Sequence, residues 1–249
     1  MPGTTPILLV DNSNTYTKFA LAGEDGSPFP EVRRHRTRSL SGESIRALLQ
    51  GWRYGMVCIS SVVEESRAAL ESAFAGHPVR RVCAAACGGL FAGYGGSATL
   101  GADRVANVLA ALRYGRLPAV AVDMGTAATF DVVGQGPRFL GGIIAPGAQL
   151  MADALHGGTS LLPRIRLDEP AAGPIGENTA AAMRAGASLA FAAMVHTALH
   201  ALETELGARP FAIATGGSAR EVARLVPEID TVDELLTLKG VGLFAVGAP

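Results

Sequence analysis

Short apolar runs closed by small polar residues recur along this chain. Two of them read alike, at residues 6–11 and 118–123, and each is apolar up to a closing aspartate. Each continues through a turn that contains a threonine into a second apolar stretch. Runs this short are typical of buried strands joined by a tight hairpin. The pattern therefore predicts that the chain uses one structural design twice.

The first half is predicted to open with a meander of strands and then to alternate helices and strands. The expected strands are 6–11, 16–22, 29–36, 56–61 and 79–83, and the expected helices are 41–50, 64–75 and 101–114. Residues 84–99 are rich in alanine and glycine and indicate a long connection.

The second half repeats this order, which is typical of an α/β fold. The expected strands are 118–123, 127–133, 138–144 and 211–214, and the expected helices are 147–156, 177–206, one from Ser218 and 232–247. Gly115 and Pro118 interrupt two strongly patterned segments, so we expect domains at residues 1–116 and 117–249.

The aspartate that ends each paired run suggests where a ligand binds. A carboxylate at a strand end, beside a turn rich in N–H groups and hydroxyls, suits nucleotide phosphates and their metal ion. Two such turns facing each other predict a nucleotide cleft between two lobes.

Composition narrows the class of partner. The formal net charge of the 249 residues is −1 and no basic stripe stands out, so we do not expect a nucleic-acid partner. The long apolar stretch at 179–202 contains Arg184, His196 and His200, which argues against a membrane span. Three cysteines indicate a reducing compartment, with the cytoplasm as the expected location and buried thiols as the expected state.

The sequence contains no Gly-x-x-x-x-Gly-Lys-Ser/Thr segment and no Gly-x-Gly-x-x-Gly after a predicted strand, so the two most frequent phosphate-binding loops are absent. The two Asp-centred turns and a third turn, Thr215-Gly216-Gly217, are instead similar to the acetate and sugar kinase, Hsp70 and actin superfamily. That resemblance implies two duplicated RNase H-like lobes, each a mixed sheet with helices.

Within that superfamily the chain resembles type III pantothenate kinases from residue 11 to residue 240. Matching motifs lie at 11–18, 101–104, 123–126, 141–147, 176–179, 215–217 and 236–240. The resemblance implies transfer of phosphate from ATP to the primary hydroxyl of pantothenate, the first step towards coenzyme A.

The resemblance also implies the residues that handle the substrate. Asp103 is the expected general base, and its place at a helix start predicts a lowered pKa. Pantothenate would be bound by Tyr94, Gly101, Ala102, Asp103, Arg104 and Thr179. Arg104 can grip the pantothenate carboxylate with two hydrogen bonds.

The same resemblance implies ATP with magnesium, a monovalent cation (potassium or ammonium) and a homodimer. The nucleotide would meet Thr126 and the segment of Asp11, Asn12, Ser13, Asn14, Thr15, Tyr16, Thr17 and Lys18. Asp11 would orient magnesium, Asp123 would hold the monovalent cation, and the small-residue helix after Thr179 would form the dimer contact.

One position departs from the family pattern, because Ser13 stands where the family has glycine. A serine there is strained if the turn needs a positive φ, and is useful if its hydroxyl bonds phosphate. Two other functions stay open: a non-catalytic regulatory or accessory protein on the same scaffold, and a different small-molecule kinase of the superfamily.

Overall fold

The computed structural model describes residues 5–167 and 172–247. They form two compact units. One comprises the chain up to Gly115 together with residues 137–140 and the segment from Leu235, and the other comprises residues 116–136 and 141–234. Each unit is built on a five-stranded mixed sheet.

The strands and helices largely follow the apolar pattern. In chain order the strands are β1 (Ile7–Asn12), β2 (Tyr16–Ala22), β3 (Pro28–Arg36), β4 (Met56–Ser61), β5 (Val79–Arg81), β6 (Ala119–Met124), β7 (Ala127–Val133), β8 (Phe139–Pro146), β9 (Phe211–Thr215) and β10 (Ile229–Val232). The α-helices are α1 (Gly42–Leu48), α2 (Arg67–Ala73), α3 (Ala102–Leu112), α4 (Ala148–Gly157), α5 (Thr179–Leu206), α6 (Ala219–Val222) and α7 (Leu236–Val246).

The sheet of the first unit has the order β3-β2-β1-β4-β5. β1 pairs antiparallel with β2 and parallel with β4, so Asp11 lies between Lys18 and Ser60. One face of the sheet packs on α1 and α2 through a buried core that includes Leu8, Val10 and Ile59. Helices α3 and α7 pack against each other; α7 contacts β1 and β4, and α3 contacts β4.

Helices α3 and α7 approach each other closely because Gly240 has no side chain. A Cβ at Gly240 would overlap the backbone of Ala106. Thr237 Oγ1 donates a hydrogen bond of 2.9 Å to Asn107 Oδ1 inside this contact. The pairing satisfies two buried polar groups and fixes the register of the two helices.

The sheet of the second unit has the order β10-β9-β6-β7-β8. Its core joins β6, β7 and β9 to one face of α5, with Phe130, Phe191 and Val195 buried. α5 is long and apolar enough to cross a membrane by length and composition alone. Its buried face packs on the core of this unit, which is the ordinary role of an apolar helix in a globular domain.

Three features differ from the sequence prediction. β10 was not predicted, and the last helix begins at Leu236 rather than at residue 232. Of the three cysteines only Cys58 is fully buried, whereas Cys83 is exposed, so the expectation of three buried thiols is wrong. The domains at 1–116 and 117–249 stay a prediction, and α7 belongs to the first compact unit.

Candidate active site

Asp11, near the end of β1, anchors the polar groups of the first unit. Its side chain is almost fully buried, with 3% of the residue exposed. Ser13 Oγ donates a hydrogen bond of 2.7 Å to Asp11 Oδ1, and Lys18 Nζ lies 3.5 Å from Oδ2. These charge-assisted contacts orient the carboxylate at the carboxyl end of the central strand.

Asn12 and Thr17 hold the turn together from inside. Asn12 Nδ2 donates to Thr17 Oγ1 at 2.7 Å, and Ser61 Oγ donates to Asn12 Oδ1 at 2.7 Å. The hydroxyls of Thr17 and Thr37 lie 3.0 Å apart. Because Asn12 and Thr17 are buried and mutually satisfied, their side chains brace the turn.

The outer part of the turn presents different groups. Asn14 and Thr15 are exposed, and Ser13 is half-buried. Thr37 Oγ1 donates to the Ser13 carbonyl at 2.6 Å, and Ser13 N–H donates to the Tyr16 carbonyl at 3.3 Å. No non-glycine residue of the described chain has a positive φ, so Ser13 is accommodated without left-handed strain.

Asp103 lies in the first turn of α3, as predicted. The Arg104 N–H donates a hydrogen bond of 2.7 Å to Asp103 Oδ1. Gly101 is the N-cap residue, and a Cβ there would lie 2.6 Å from the same oxygen. Glycine is therefore required for the carboxylate to fold back over the helix start.

The expectation of a lowered Asp103 pKa is wrong. Burial raises the pKa of this carboxyl above its ordinary value, and the neighbouring charge of Asp11 raises it further. The hydrogen bond from the Arg104 N–H and the Arg104 charge lower the pKa, but their combined effect is the smaller one. Loss of hydration thus outweighs the helix N-terminus at this site.

Tyr94 and Arg104 meet on one aromatic ring, that of Phe139, which was not predicted to belong to the site. The ring of Phe139 lies edge-to-face with Tyr94 at 5.0 Å and contacts Phe91 at 5.3 Å. The Arg104 guanidinium carbon lies 5.7 Å from the Phe139 ring centre, a cation–π distance. Residues 138–144 were predicted only as a strand, so no sequence signal marked this role of Phe139.

A cavity of about 410 Å³ opens beyond the end of β4. Ser61, Val62 and Arg67 contribute to its lining. Val62 also approaches Gly101, since its Cγ1 lies 3.5 Å from where a Cβ on that glycine would be. The cavity therefore adjoins the segment that carries Asp103.

In the second unit, Asp123 lies near the end of β6 beside Thr215 of β9. Gly216 has φ +92°, and a Cβ there would lie 2.7 Å from Asp123 Oδ1. The predicted Thr-Gly-Gly turn thus packs directly against this carboxylate. Thr126 accepts a hydrogen bond of 3.0 Å from Gly147 N–H through its carbonyl, which joins two further predicted motifs.

Thr179 is the first residue of α5 and is exposed. Asn178 caps the helix, because its Oδ1 accepts the Ala181 N–H at 2.9 Å. The cap therefore fixes where α5 begins, and with it the position of Thr179.

The fold resembles those of several solved proteins, a sugar kinase among them. A Baf family protein from Campylobacter jejuni, described as a transcriptional activator, superimposes with a TM-score of 0.61 at 18% identity over 96% of each chain. A ROK family glucokinase from Streptomyces griseus, solved with glucose and AMPPNP, gives 0.56 at 12% identity over 96% of this chain and 98% of its own. Together with the two mixed sheets, these likenesses confirm the predicted pair of duplicated RNase H-like units.

Sequence comparison is more specific than the fold. Residues 7–201 match the family model of type III pantothenate kinase. A type III pantothenate kinase from Akkermansia muciniphila is 41% identical over 96% of this chain and 97% of its own length, and one from Methylacidiphilum infernorum is 37% identical over 95% and 87%. This chain belongs to the type III pantothenate kinase family.

Proposed function

We propose that this protein transfers a phosphoryl group from ATP to the primary hydroxyl of pantothenate and so begins coenzyme A synthesis. The observation that carries the proposal is the family match over residues 7–201, with the family's carboxylates at Asp11, Asp103 and Asp123. Phosphoryl transfer depends mainly on positioning and on electrostatic stabilisation, and needs a group that accepts the hydroxyl proton.

Asp103 is the proposed general base. Its raised pKa makes its carboxylate a stronger base than an ordinary aspartate, which improves proton transfer near neutral pH. The Arg104 N–H holds one carboxylate oxygen, so the other is left to face the substrate hydroxyl. Gly101 and Ala102 directly precede Asp103, and the backbone at Gly101 lies close to the Asp103 carboxylate.

Arg104 and Tyr94 are proposed to bind pantothenate. A guanidinium offers two parallel donors to a carboxylate, and Arg104 is held by the Phe139 ring with only 7% of its surface exposed. A buried, pre-oriented arginine loses little conformational entropy on binding. Thr179 is proposed to contribute to the site of a second subunit.

Asp11 and the turn after it fit the phosphates and magnesium. Among the described residues no group of three or more His, Cys, Asp or Glu side chains could cage a metal ion, which suits a cation that keeps waters and phosphate ligands. Magnesium, when bound, would neutralise charge on the phosphates. Asp11 would orient its hydration shell, Ser13 would hold the Asp11 carboxylate through its hydroxyl, and Asn14, Thr15 and Lys18 would contact phosphate oxygens.

Asp123 is proposed to hold the monovalent cation, with Thr126 close to the nucleotide. The fit rests on Gly216, because any side chain there would fill the space beside the Asp123 carboxylate. A single carboxylate with backbone carbonyls is a suitable ligand set for potassium or ammonium. The proposal also places the enzyme in the cytoplasm, where its three free cysteines would stay reduced.

The test is a coupled assay of ADP release with pantothenate present or omitted, in potassium or in sodium buffer. We expect ADP release that requires both pantothenate and potassium or ammonium. A regulatory protein would release no ADP under any condition. Another small-molecule kinase would release ADP only when its own alcohol replaces pantothenate.

A further inference from the structure

The edge strand β3 concentrates arginines, although no basic stripe was predicted from the sequence. Arg33 is used within the fold, because its Nη1 donates to the carbonyls of Leu48 and Gln50 at 2.7 and 3.0 Å. Its guanidinium also lies 4.3 Å from the centre of the Trp52 ring. Arg33 is therefore a structural residue of one sheet face.

Arg34 and Arg36 belong to the opposite face and differ from Arg33. Both are exposed, and both guanidinium groups flank the ring of Tyr16, at 5.2 and 5.4 Å from its centre. Within residues 5–167 and 172–247 neither arginine has a carboxylate within ion-pair distance. The Tyr16 ring orients the two cations without neutralising them.

The strand register adds a third cation to this face. Lys18 lies directly opposite Arg34, and Tyr16 directly opposite Arg36. Like charges directly opposite each other destabilise a sheet. Asp11, opposite Lys18 on β1, is the one carboxylate of this row. We call the surface formed by Tyr16, Lys18, Arg34 and Arg36 the cationic face.

We propose that the cationic face binds a linear phosphate chain. It adjoins the turn at Ser13, Asn14 and Thr15, so a chain held by that turn continues onto Arg34 and Arg36. The two arginines are two residues apart on a strand, about 7 Å along it, which suits an anion with repeated charged groups. Guanidinium groups bind phosphate oxygens in pairs, and an anion between Lys18 and Arg34 removes their repulsion.

This inference rests on the proposed function in one respect, because it requires that the phosphates of the nucleotide bind at the turn of Ser13, Asn14 and Thr15. Two sources share the chemistry: the triphosphate of ATP and inorganic polyphosphate. A polyphosphate longer than three units would reach further along β3 than ATP does. We therefore expect polyphosphate to compete with ATP.

The experiment measures binding of sodium polyphosphate and of ATP by titration calorimetry without pantothenate. The variants are Arg34→Gln, Arg36→Gln and their combination. Arg53→Gln is the matched control, because Arg53 is also exposed but precedes β4 and lies at the other end of the sheet. We expect the double variant to bind polyphosphate at least about tenfold more weakly than the wild type. The slope of the logarithm of its binding constant against the logarithm of salt concentration should be smaller in magnitude by about one to two. The Arg53→Gln control should match the wild type.

The two arms distinguish the sources. Weaker polyphosphate binding with unchanged ATP binding assigns the arginines to a chain longer than a triphosphate, and weakening of both assigns them to ATP itself. Equal affinities in the double variant and the wild type would mean that the arginines only protect the sheet edge, and would overturn the proposal. The proposal would also be overturned if the wild type bound poly-L-glutamate as tightly as polyphosphate. Tighter binding of a single-stranded oligonucleotide than of polyphosphate would overturn it as well.

Failure of the proposed function gives a different result. If ADP release never depends on pantothenate but polyphosphate binding still requires Arg34 and Arg36, the cationic face stands and the kinase assignment falls. If ADP release depends on pantothenate and polyphosphate does not bind, the kinase assignment stands and the cationic face falls.

Discussion

At the scale of single residues, Asp103 illustrates how a proposed catalytic role can conflict with stability. Burial and the nearby Asp11 charge make its ionised form unfavourable in the folded protein, which is the physical meaning of its raised pKa. A carboxyl whose folded pKa lies above its unfolded pKa binds more protons when folded. It therefore stabilises the protein less as the pH rises from its ordinary value through the raised one.

The first prediction follows from this conflict. Asp103→Asn should lower kcat about 10²–10⁴-fold, because the general base is lost, and leave ATP binding unchanged. The same change should raise the melting temperature at pH 7, because it removes a poorly hydrated charge. Steady-state kinetics and calorimetry on one preparation test both parts. Undiminished turnover would contradict the base assignment, and a lower melting temperature at pH 7 would contradict the direction of the pKa shift.

Ser13 is the position at which the chain departs from its family. Its hydroxyl donates to Asp11 at 2.7 Å, so it acts on the carboxylate proposed to orient magnesium. Ser13→Gly should weaken binding of magnesium-ATP by about 0.5–1.5 kcal/mol, the usual worth of one hydrogen bond. A calorimetric titration measures it. Tighter binding would instead mean that the serine hinders the phosphates.

Asp123 gives a residue-scale test of the cation. Asp123→Ala should abolish the potassium or ammonium dependence together with activity, since it removes the carboxylate that packs against Gly216. The measurement is turnover in potassium, ammonium and sodium chloride at constant ionic strength. Equal wild-type activity in sodium alone would show that no such cation is needed.

At the scale of elements, strand β8 begins with the ring that joins Tyr94 to Arg104. Phe139→Leu keeps an apolar side chain but removes the cation–π partner, worth about 0.5–2 kcal/mol. We expect the KM for pantothenate to rise about 2- to 30-fold, with kcat nearly unchanged, because the contact orients a binding group.

Phe74→Leu is the matched control for this prediction. Phe74 is also a buried phenylalanine in an edge-to-face pair with a tyrosine, Tyr54 at 6.3 Å, but it has no arginine on its ring. Both changes should lower stability, and only Phe139→Leu should raise the KM. An equal rise in both variants would reduce the effect to general destabilisation.

Elements with strong patterns could be predicted from the sequence, and the contacts between them could not. The strands that lead to Asp11 and Asp123 and the helix that begins beside Asp103 lie where apolar runs and helix-start signals indicated. β10 was missed because it has four residues, none fully buried, which leaves almost no pattern.

The candidate site shows the same limit. Its motifs could be placed on strand ends and on one helix start from sequence alone. The pairing of Lys18 with Arg34 depends on strand register, and the contact of Phe139 with Arg104 joins residues 35 apart. The pKa of Asp103 depends on the balance between burial, which raises it, and the Arg104 N–H at the helix start, which lowers it. No local sequence signal reports whether a single carboxyl is buried.

At the scale of the whole molecule, the second unit exposes several large apolar side chains. Ile144, Leu150, Leu161, Ile175 and Leu189 are each at least 45% exposed. On α5 the exposed positions Ala182, Gly186, Leu189 and Ala193 recur at helical spacing, so they form one stripe of small residues around Leu189. Contiguous apolar surface marks association sites on globular domains, and burial of this stripe against a second copy is what the proposed homodimer requires.

The last prediction tests that dimer. Leu189→Asp places a charge in the centre of the stripe, and burying an unpaired charge would disrupt association. Leu225→Asp is the matched control, because Leu225 is 53% exposed against 50% for Leu189 and lies outside α5. Sedimentation velocity at micromolar concentration should find dimers for the wild type and for the control, and monomers for Leu189→Asp. Because Thr179 begins the same helix and is proposed to complete the partner's site, the monomer should also lose most of its activity. A fully active wild-type monomer would contradict both the dimer and the shared site.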